Sequence, residues 1–177
     1  MSPKLTLGYS TLAERVATLV EPPSNPKWET VLVVQNPNQI DWQGQRFKEL
    51  SARQDFRHDE LISKGVAKSR NKAIDLALGE YLIFSDDDIT FNEFGLRQAI
   101  EYLDAHPDVA LLLGQATDES GALRKRYPAT VEKLGSLNSA RAATYEMIIR
   151  VSEVRKLGVR FDEDFGAGAK NYLGDEY

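Results

Sequence analysis

The chain has 177 residues, 42% of them apolar and 28% charged, with no cysteine and a formal net charge of −5. Such a chain makes one globular domain with a real core; its negative balance disfavours a nucleic-acid backbone as partner, and the missing Cys removes disulfides, thiol catalysis and Cys-based zinc sites together. No apolar run approaches the roughly 20 residues of a membrane span and no secretory h-region opens the chain, so the expected location is cytoplasmic or peripheral to a membrane, with no transmembrane segment.

Residues 5–9 predict a first strand. Ser10 or Thr11 then stands where it can cap a helix over 12–20, with Leu12, Val16, Leu19 and Val20 as its apolar positions. The proline-rich stretch 21–26 breaks the chain, and 28–34 reads as a second strand whose run Val31-Leu32-Val33-Val34 suits burial on both faces. A turn at 35–38 leads into a polar segment without a readable period up to about residue 53. A short edge strand is expected over 56–61. Residues 64–78 predict a helix with Ala67, Ile74, Ala77 and Leu78 on one side and Gly79 as its stop.

The stretch Glu80-Tyr81-Leu82-Ile83-Phe84-Ser85-Asp86-Asp87-Asp88 organises the rest. Its apolar part has the length and aromatic content of a buried strand. Three adjacent acids repel one another, so the strand is expected to stop at Ser85 with the acids projecting from its carboxyl end, where ligands sit in α/β sheets. Carboxylates with one residue between them suit a hard divalent cation, Mn²⁺ or Mg²⁺, bridging to substrate phosphates; the bland alternative is a solvated acidic turn. Beyond it, Asn92 can cap a helix reaching about residue 105, and 109–113 predicts another buried strand. Residues 118–121 form a turn, 123–127 a returning hairpin arm, and 144–151 a strand, after which Ser152 caps a short helix to 157. Residues 161–177 have loop composition. His58 and His106 are not spaced as a ligand pair, and Trp28 and Trp42 are expected to pack rather than to bind sugar. The alternation of strands and helices predicts an α/β sandwich with a mostly parallel central sheet.

The run from Gly65 through Arg70-Asn71, then Ala77-Leu78-Gly79-Glu80-Tyr81 and the triple acid, resembles glycosyltransferase family 2. A second match, Phe161-Asp162-Glu163-Asp164-Phe165-Gly166 followed by Asp175-Glu176, is similar to that family's downstream segment and its acidic pair. The resemblance implies a GT-A (Rossmann-like) three-layer sandwich. Residues 1–177 would form a single domain, with a nucleotide-binding half over about 1–90 and an acceptor-side half over about 91–177. Family members normally continue past this point, so the second half is expected to be incomplete.

The activity implied is inverting transfer of a sugar from a nucleoside-diphosphate sugar, a UDP-sugar first among the donors. The acceptor would be a hydroxyl of a carbohydrate or glycolipid, in polysaccharide or glycoconjugate synthesis. By resemblance, Asp86 and Asp88 would bind a divalent metal, with Asp86 and Asp87 also on the donor nucleotide. Arg70 would reach the diphosphate or brace the acids. Ser10 and Arg15 lie where the family grips the base, and Gln35 and Asn36 stand where it commonly has a base-recognising acid. Glu176, or Asp175 as second choice, would be the catalytic base. The order Asp175-Glu176 replaces the commoner Glu-Asp. Two other readings use the same acids: a nucleotide-sugar-binding domain without transfer, and a haloacid-dehalogenase-type phosphatase with Asp86 as nucleophile and Asp88 as acid/base.

Overall fold

The computed structural model describes residues 2–135, 138–139 and 142–171. Six strands form one sheet: β1 (Leu5–Leu12), β2 (Trp28–Gln35), β3 (Phe56–Leu61), β4 (Tyr81–Asp86), β5 (Leu111–Leu113) and β6 (Met147–Arg150), in the order β3-β2-β1-β4-β6-β5. The four strands from β3 to β4 run parallel, whereas β6 pairs antiparallel with both β4 and β5. The mostly parallel α/β sandwich expected from the alternation is therefore present.

Side chains of successive strand residues point to opposite faces, and each face has its own cover. On one face Leu5, Leu7 and Tyr9 of β1, Leu32 and Val34 of β2, and Tyr81 and Ile83 of β4 pack with Phe47 and Leu50 of α1 (Gln45–Ser51) and with Leu96 and Leu103 of α3 (Glu93–Ala105). On the other, Leu82 and Phe84 of β4 meet Ile74 of α2 (Val66–Leu76) and Val151 of α4 (Val151–Leu157), while Val31 and Val33 of β2 meet Ala73. Trp28 and Trp42 are buried in the first of these cores. The Asn92 side chain caps α3, accepting from the backbone N–H groups of Phe94 and Gly95.

Several local expectations are overturned by pairing. Strand β1 does not stop at Tyr9; its parallel register with β2 continues to Leu12↔Gln35, so Ser10 and Thr11 are strand residues and cap nothing. The helix expected over 12–20 is a 3-10 segment, Ala13–Thr18. Strand β4 runs one residue further than expected because Asp86 pairs with Ser10. Helix α2 is shorter than its apolar period and ends at Leu76, with Ala77 as its C-cap. Gly79 is not its cap. A Cβ there would lie 2.6 Å from the Thr6 backbone nitrogen, so glycine is required by close approach to β1. The strand at 109–113 contracts to an edge strand whose Leu111 is exposed. The expected strand 144–151 divides into a 3-10 turn, Thr144–Glu146, then β6 and α4, and Ser152 caps nothing. The hairpin arm at 123–127 reduces to one bridge, Thr117 to Leu123. Helix α1 arose in the polar segment that offered no period. Among the described residues no helix is long and apolar enough to cross a membrane.

Candidate functional site

The carboxyl ends of β1, β2 and β4 open into a cleft of about 370 Å³. The parallel register fixes its floor, because Ser10 lies beside Asp86 on one side and beside Val33 on the other. This is the place where an open α/β sheet presents ligand-binding groups.

The three acids divide. Asp87 is buried (5% exposed) and turned into the floor. Its carboxylate accepts from Thr11 Oγ1 at 2.5 Å and pairs with the Arg15 guanidinium, and its carbonyl accepts from the Val20 backbone N–H at 3.0 Å. Those bonds tie the end of β1 and the 3-10 segment to the end of β4. Asp86 and Asp88 are more open, with side chains 45% and 71% exposed. Arg70 approaches Asp86 to 3.7 Å, and Arg15 approaches Asp88 to 3.7 Å. The Arg70 side chain is itself buried and lies over the Phe161 ring, 5.8 Å from its centroid. A buried guanidinium held this way is a fixed cation at the cleft wall, with its geometry set before any anion arrives.

Beneath the rim, polar side chains satisfy one another. Ser69 Oγ donates to Ser10 Oγ at 2.9 Å, Gln35 Nε2 donates to Ser69 Oγ at 3.3 Å, and the Gly65 backbone N–H donates to Gln35 Oε1 at 2.7 Å. Gln35 thus fastens the start of α2 to the end of β2. Asn36 is also buried, and its amide closes the following turn. It exchanges hydrogen bonds with the backbone of Ile40 and donates to Glu60 at 2.7 Å. Asn36 does not line the cleft.

The segment after α4 reaches back to the same place. Asn71 holds the Phe161 backbone on both sides, donating to its carbonyl and accepting from its N–H, each at 2.9 Å. The Phe161 ring packs edge-on against Phe84, 5.2 Å between centroids. Further along, Val66 N–H donates to the Ala167 carbonyl at 3.0 Å. Gly168 has a φ of +83°, and a Cβ there would meet the Lys64 stem at 2.6 Å. The segment over 161–171 is therefore fastened along the start of α2, with Lys64 and Ala167 at the cleft edge. Asp175 and Glu176 lie outside the described residues.

Ser10, Arg15, Gln35, Arg70 and Asp86 to Asp88 are thus brought together in one cleft. Lys64 and Tyr145 also line the cleft, and no motif in the sequence marks either of them or the Thr11–Asp87 bond. The order of types at Ala143-Thr144-Tyr145-Glu146 carries no signal that distinguishes a cleft residue from the start of a strand.

Among the described residues no group of three His, Asp or Glu converges on a point that could hold a metal ion unaided. A cation at Asp86 and Asp88 would draw two carboxylates from the protein and the remaining oxygens from substrate or water. That donor set fits Mg²⁺ or Mn²⁺, which keep several waters and are bound through one or two carboxylates plus phosphates.

Comparison with known proteins agrees with this fold. Residues 9–157 match the family model described as glycosyl transferase family 2. No curated protein sequence matches the chain. Among solved structures, TarS 1-349 of S. aureus in complex with UDP-GlcNAc is similar, with a TM-score of 0.70 and 20% identity over 98% of this chain and 53% of that one. The same protein in complex with UDP gives 0.69 and 20% over 91% and 51%. The mannosyltransferase PcManGT from Pyrobaculum calidifontis, in complex with GDP-Man and Mn²⁺, gives 0.61 and 16% over 95% and 50%. The chain spans about half the length of these structures.

Proposed function

The chain belongs to glycosyl transferase family 2, and from that premise we propose that its cleft binds a nucleoside-diphosphate sugar and directs inverting transfer of the sugar to an acceptor hydroxyl. Family membership leaves the haloacid-dehalogenase alternative without support. The observation that carries the proposal is the division of the triple acid: Asp87 is consumed by the scaffold, while Asp86 and Asp88 are turned outward beside Arg70 and Arg15.

In this reading Asp86 and Asp88 hold the divalent cation, which when bound neutralises charge on the leaving diphosphate. Arg70 offers a fixed guanidinium to the diphosphate oxygens at no cost of reorganisation, because Phe161 already holds it. Arg15 braces Asp87 through a guanidinium nitrogen that also stands 3.7 Å from Asp88 at the rim. Ser10 and Gln35 shape the nucleoside end of the cleft. Asn36 acts there through the turn it closes. Glu176, with Asp175 as second choice, takes the proton of the acceptor hydroxyl. Residues of about 1–90 hold the nucleotide, and about 91–177 form the acceptor-side half, which receives a carbohydrate or glycolipid. That the TarS structures hold UDP and UDP-GlcNAc, and that of PcManGT GDP-Man and Mn²⁺, supports a nucleotide-sugar donor and a metal.

Thermal melting with UDP, GDP and their sugar conjugates, with and without Mn²⁺, tests the proposal. A nucleoside diphosphate at 100 times its dissociation constant raises stability by about 2.7 kcal/mol. The expected result is a raised melting temperature that requires metal and nucleotide together. Stabilisation by phosphate with Mg²⁺ and none by any nucleotide would contradict it. Glu176→Gln is expected to abolish transfer while leaving that stabilisation in place.

A further inference from the structure

We propose that Tyr145 is the platform on which the sugar ring of the donor stacks, and that buried Glu146 is the residue that positions it. The inference rests on the donor-site reading above and adds to it the place of the sugar. Strands β4 and β6 pair antiparallel through Tyr81↔Arg150, Leu82↔Ile149 and Ile83↔Ile148. Carried past the end of that ladder, the same register sets the Thr144–Glu146 turn alongside Ser85 and Asp86. On the opposite side of Asp86 lies Ser10 of β1, and beyond it β2 with Gln35. The cleft therefore has an order: Gln35 and Ser10, then Asp86 to Asp88 with Arg70, then Tyr145. A nucleoside diphosphate sugar has the same linear order, so with its diphosphate at the acids and its nucleoside toward β2, its sugar falls at Tyr145.

The ring suits that place. Tyr145 is the one aromatic side chain among the described residues lining the cleft. A pyranose presents a face of C–H bonds, and the negative face of an aromatic ring attracts it. Arg124 stands over one face of the Tyr145 ring, 5.7 Å from the centroid, so the sugar stacks on the other.

The turn that presents Tyr145 is held by an arrangement the donor chemistry does not otherwise use. Thr144 and Glu146, on either side of it, are 0% and 3% exposed. The Glu146 carboxylate accepts from Tyr127 Oη at 2.6 Å and from Lys125 Nζ at 2.7 Å, and its carbonyl accepts from Gly114 N–H at 2.8 Å. Tyr127 Oη accepts in turn from Ala116 N–H at 2.9 Å. Burial, and the carboxylate beside it, push the Tyr127 phenol up to about 12, so it stays a donor to Glu146 throughout the neutral range. A buried carboxylate is costly unless its bonds are complete. Here they lock one half-buried aromatic residue at the cleft wall.

The test compares free and sugar-bearing nucleotides on the full chain. Dissociation constants are measured by calorimetry in Mn²⁺ for UDP, GDP, UDP-glucose and GDP-mannose, with wild type, Tyr145→Ala, Tyr145→Phe and Glu146→Gln. For whichever nucleotide binds, Tyr145→Ala is expected to weaken the sugar conjugate about tenfold and the free diphosphate less than about twofold, the scale of truncating a contact aromatic. Tyr145→Phe keeps the ring and is expected to match wild type. Glu146→Gln is expected to show a smaller loss of the same selective kind. Equal losses for conjugate and free diphosphate, no loss in Tyr145→Ala, or a loss in Tyr145→Phe equal to that in Tyr145→Ala would each overturn the platform while the donor site stands. A wild-type chain that binds none of the four overturns the donor site, and the platform with it.

Discussion

The floor and the rim of the cleft are built from neighbouring residues and behave as opposites. On the floor, Thr11, Asp87, Ser69 and Gln35 are buried and take their hydrogen bonds from one another. On the rim, Asp88 is largely open to solvent and Asp86 and Arg15 are about half open, each within 4 Å of an opposite charge. Asp87 and Asp88 are adjacent in sequence, and one is scaffold while the other is presented. The difference teaches that a motif of three identical residues need not have one role. Strand β4 ends at Asp86 and the chain turns at Asp87 and Asp88, where Ile89 N–H donates to the Asp86 carbonyl, so the chain can fasten itself with one acid and present the two that flank it.

The comparison breaks most sharply at Asp87. Replacing it by Ala removes two charge-assisted bonds, one of them to buried Thr11, and leaves the backbone bond from Val20 to hold the 3-10 side of the cleft to the end of β4. A loss of about 2–3 kcal/mol is expected, read as a fall of roughly 5–10 °C in melting temperature for a chain of this size. If Asp88→Ala destabilised the fold as much as Asp87→Ala, the separation of floor from rim would fail.

Asn71→Ala is the next test, because Asn71 joins the floor to the segment after α4. Losing two hydrogen bonds to the Phe161 backbone should cost about 1–2 kcal/mol. It should also speed limited proteolysis within 161–171, where the wild-type segment is held along α2. Unchanged cleavage would mean that Val66 and Lys64 suffice to hold it.

The smallest effect expected is in acid, and it arises away from the cleft. The hydrogen bond from Arg53 holds Asp55 below the usual carboxylate range, and that from Lys72 does the same for Asp59. For Asp104 burial pushes up, but hydrogen bonds from Lys4 and Tyr81 outweigh it and the net direction is down. A carboxylate depressed in the folded state contributes stability above its unfolded pKa and loses it as pH falls through the folded value. Melting temperature is therefore expected to hold above about pH 4 and to decline below it. The same decline is expected in Asp88→Ala; a decline that disappears in that variant would place the acid sensitivity at the rim instead.

Much of the floor's architecture was legible in the sequence. Continuous apolar runs mark β2 and β4 because parallel strands covered on both faces are apolar throughout, and Asn92 marks the start of α3 because its side chain satisfies two N–H groups there. The triple acid after Phe84 marks the cleft. Other features depend on partners distant in the chain. Thr11 looks like a cap until the parallel register with β2 carries β1 to Leu12. Gly79 looks like a helix stop until the approach of Thr6 is known. Gln35 looks ready to meet a ligand, yet its amide fastens Gly65 and Ser69. Tyr145 carries no local signal, since what places it at the cleft is its position across the sheet from Asp86.

The central claim is that the outward acids serve a metal-bound diphosphate, and electron paramagnetic resonance of Mn²⁺ tests it most directly. Titrating Mn²⁺ into wild type, Asp87→Asn and Asp88→Ala, each with and without UDP or GDP, reports the free ion. The account predicts tight binding of Mn²⁺ in wild type only when nucleotide is present. It predicts near-wild-type binding in Asp87→Asn and a loss of about 100-fold in Asp88→Ala, a contact essential to the ion. Nucleotide-dependent Mn²⁺ binding that persists in Asp88→Ala and vanishes in Asp87→Asn would contradict it.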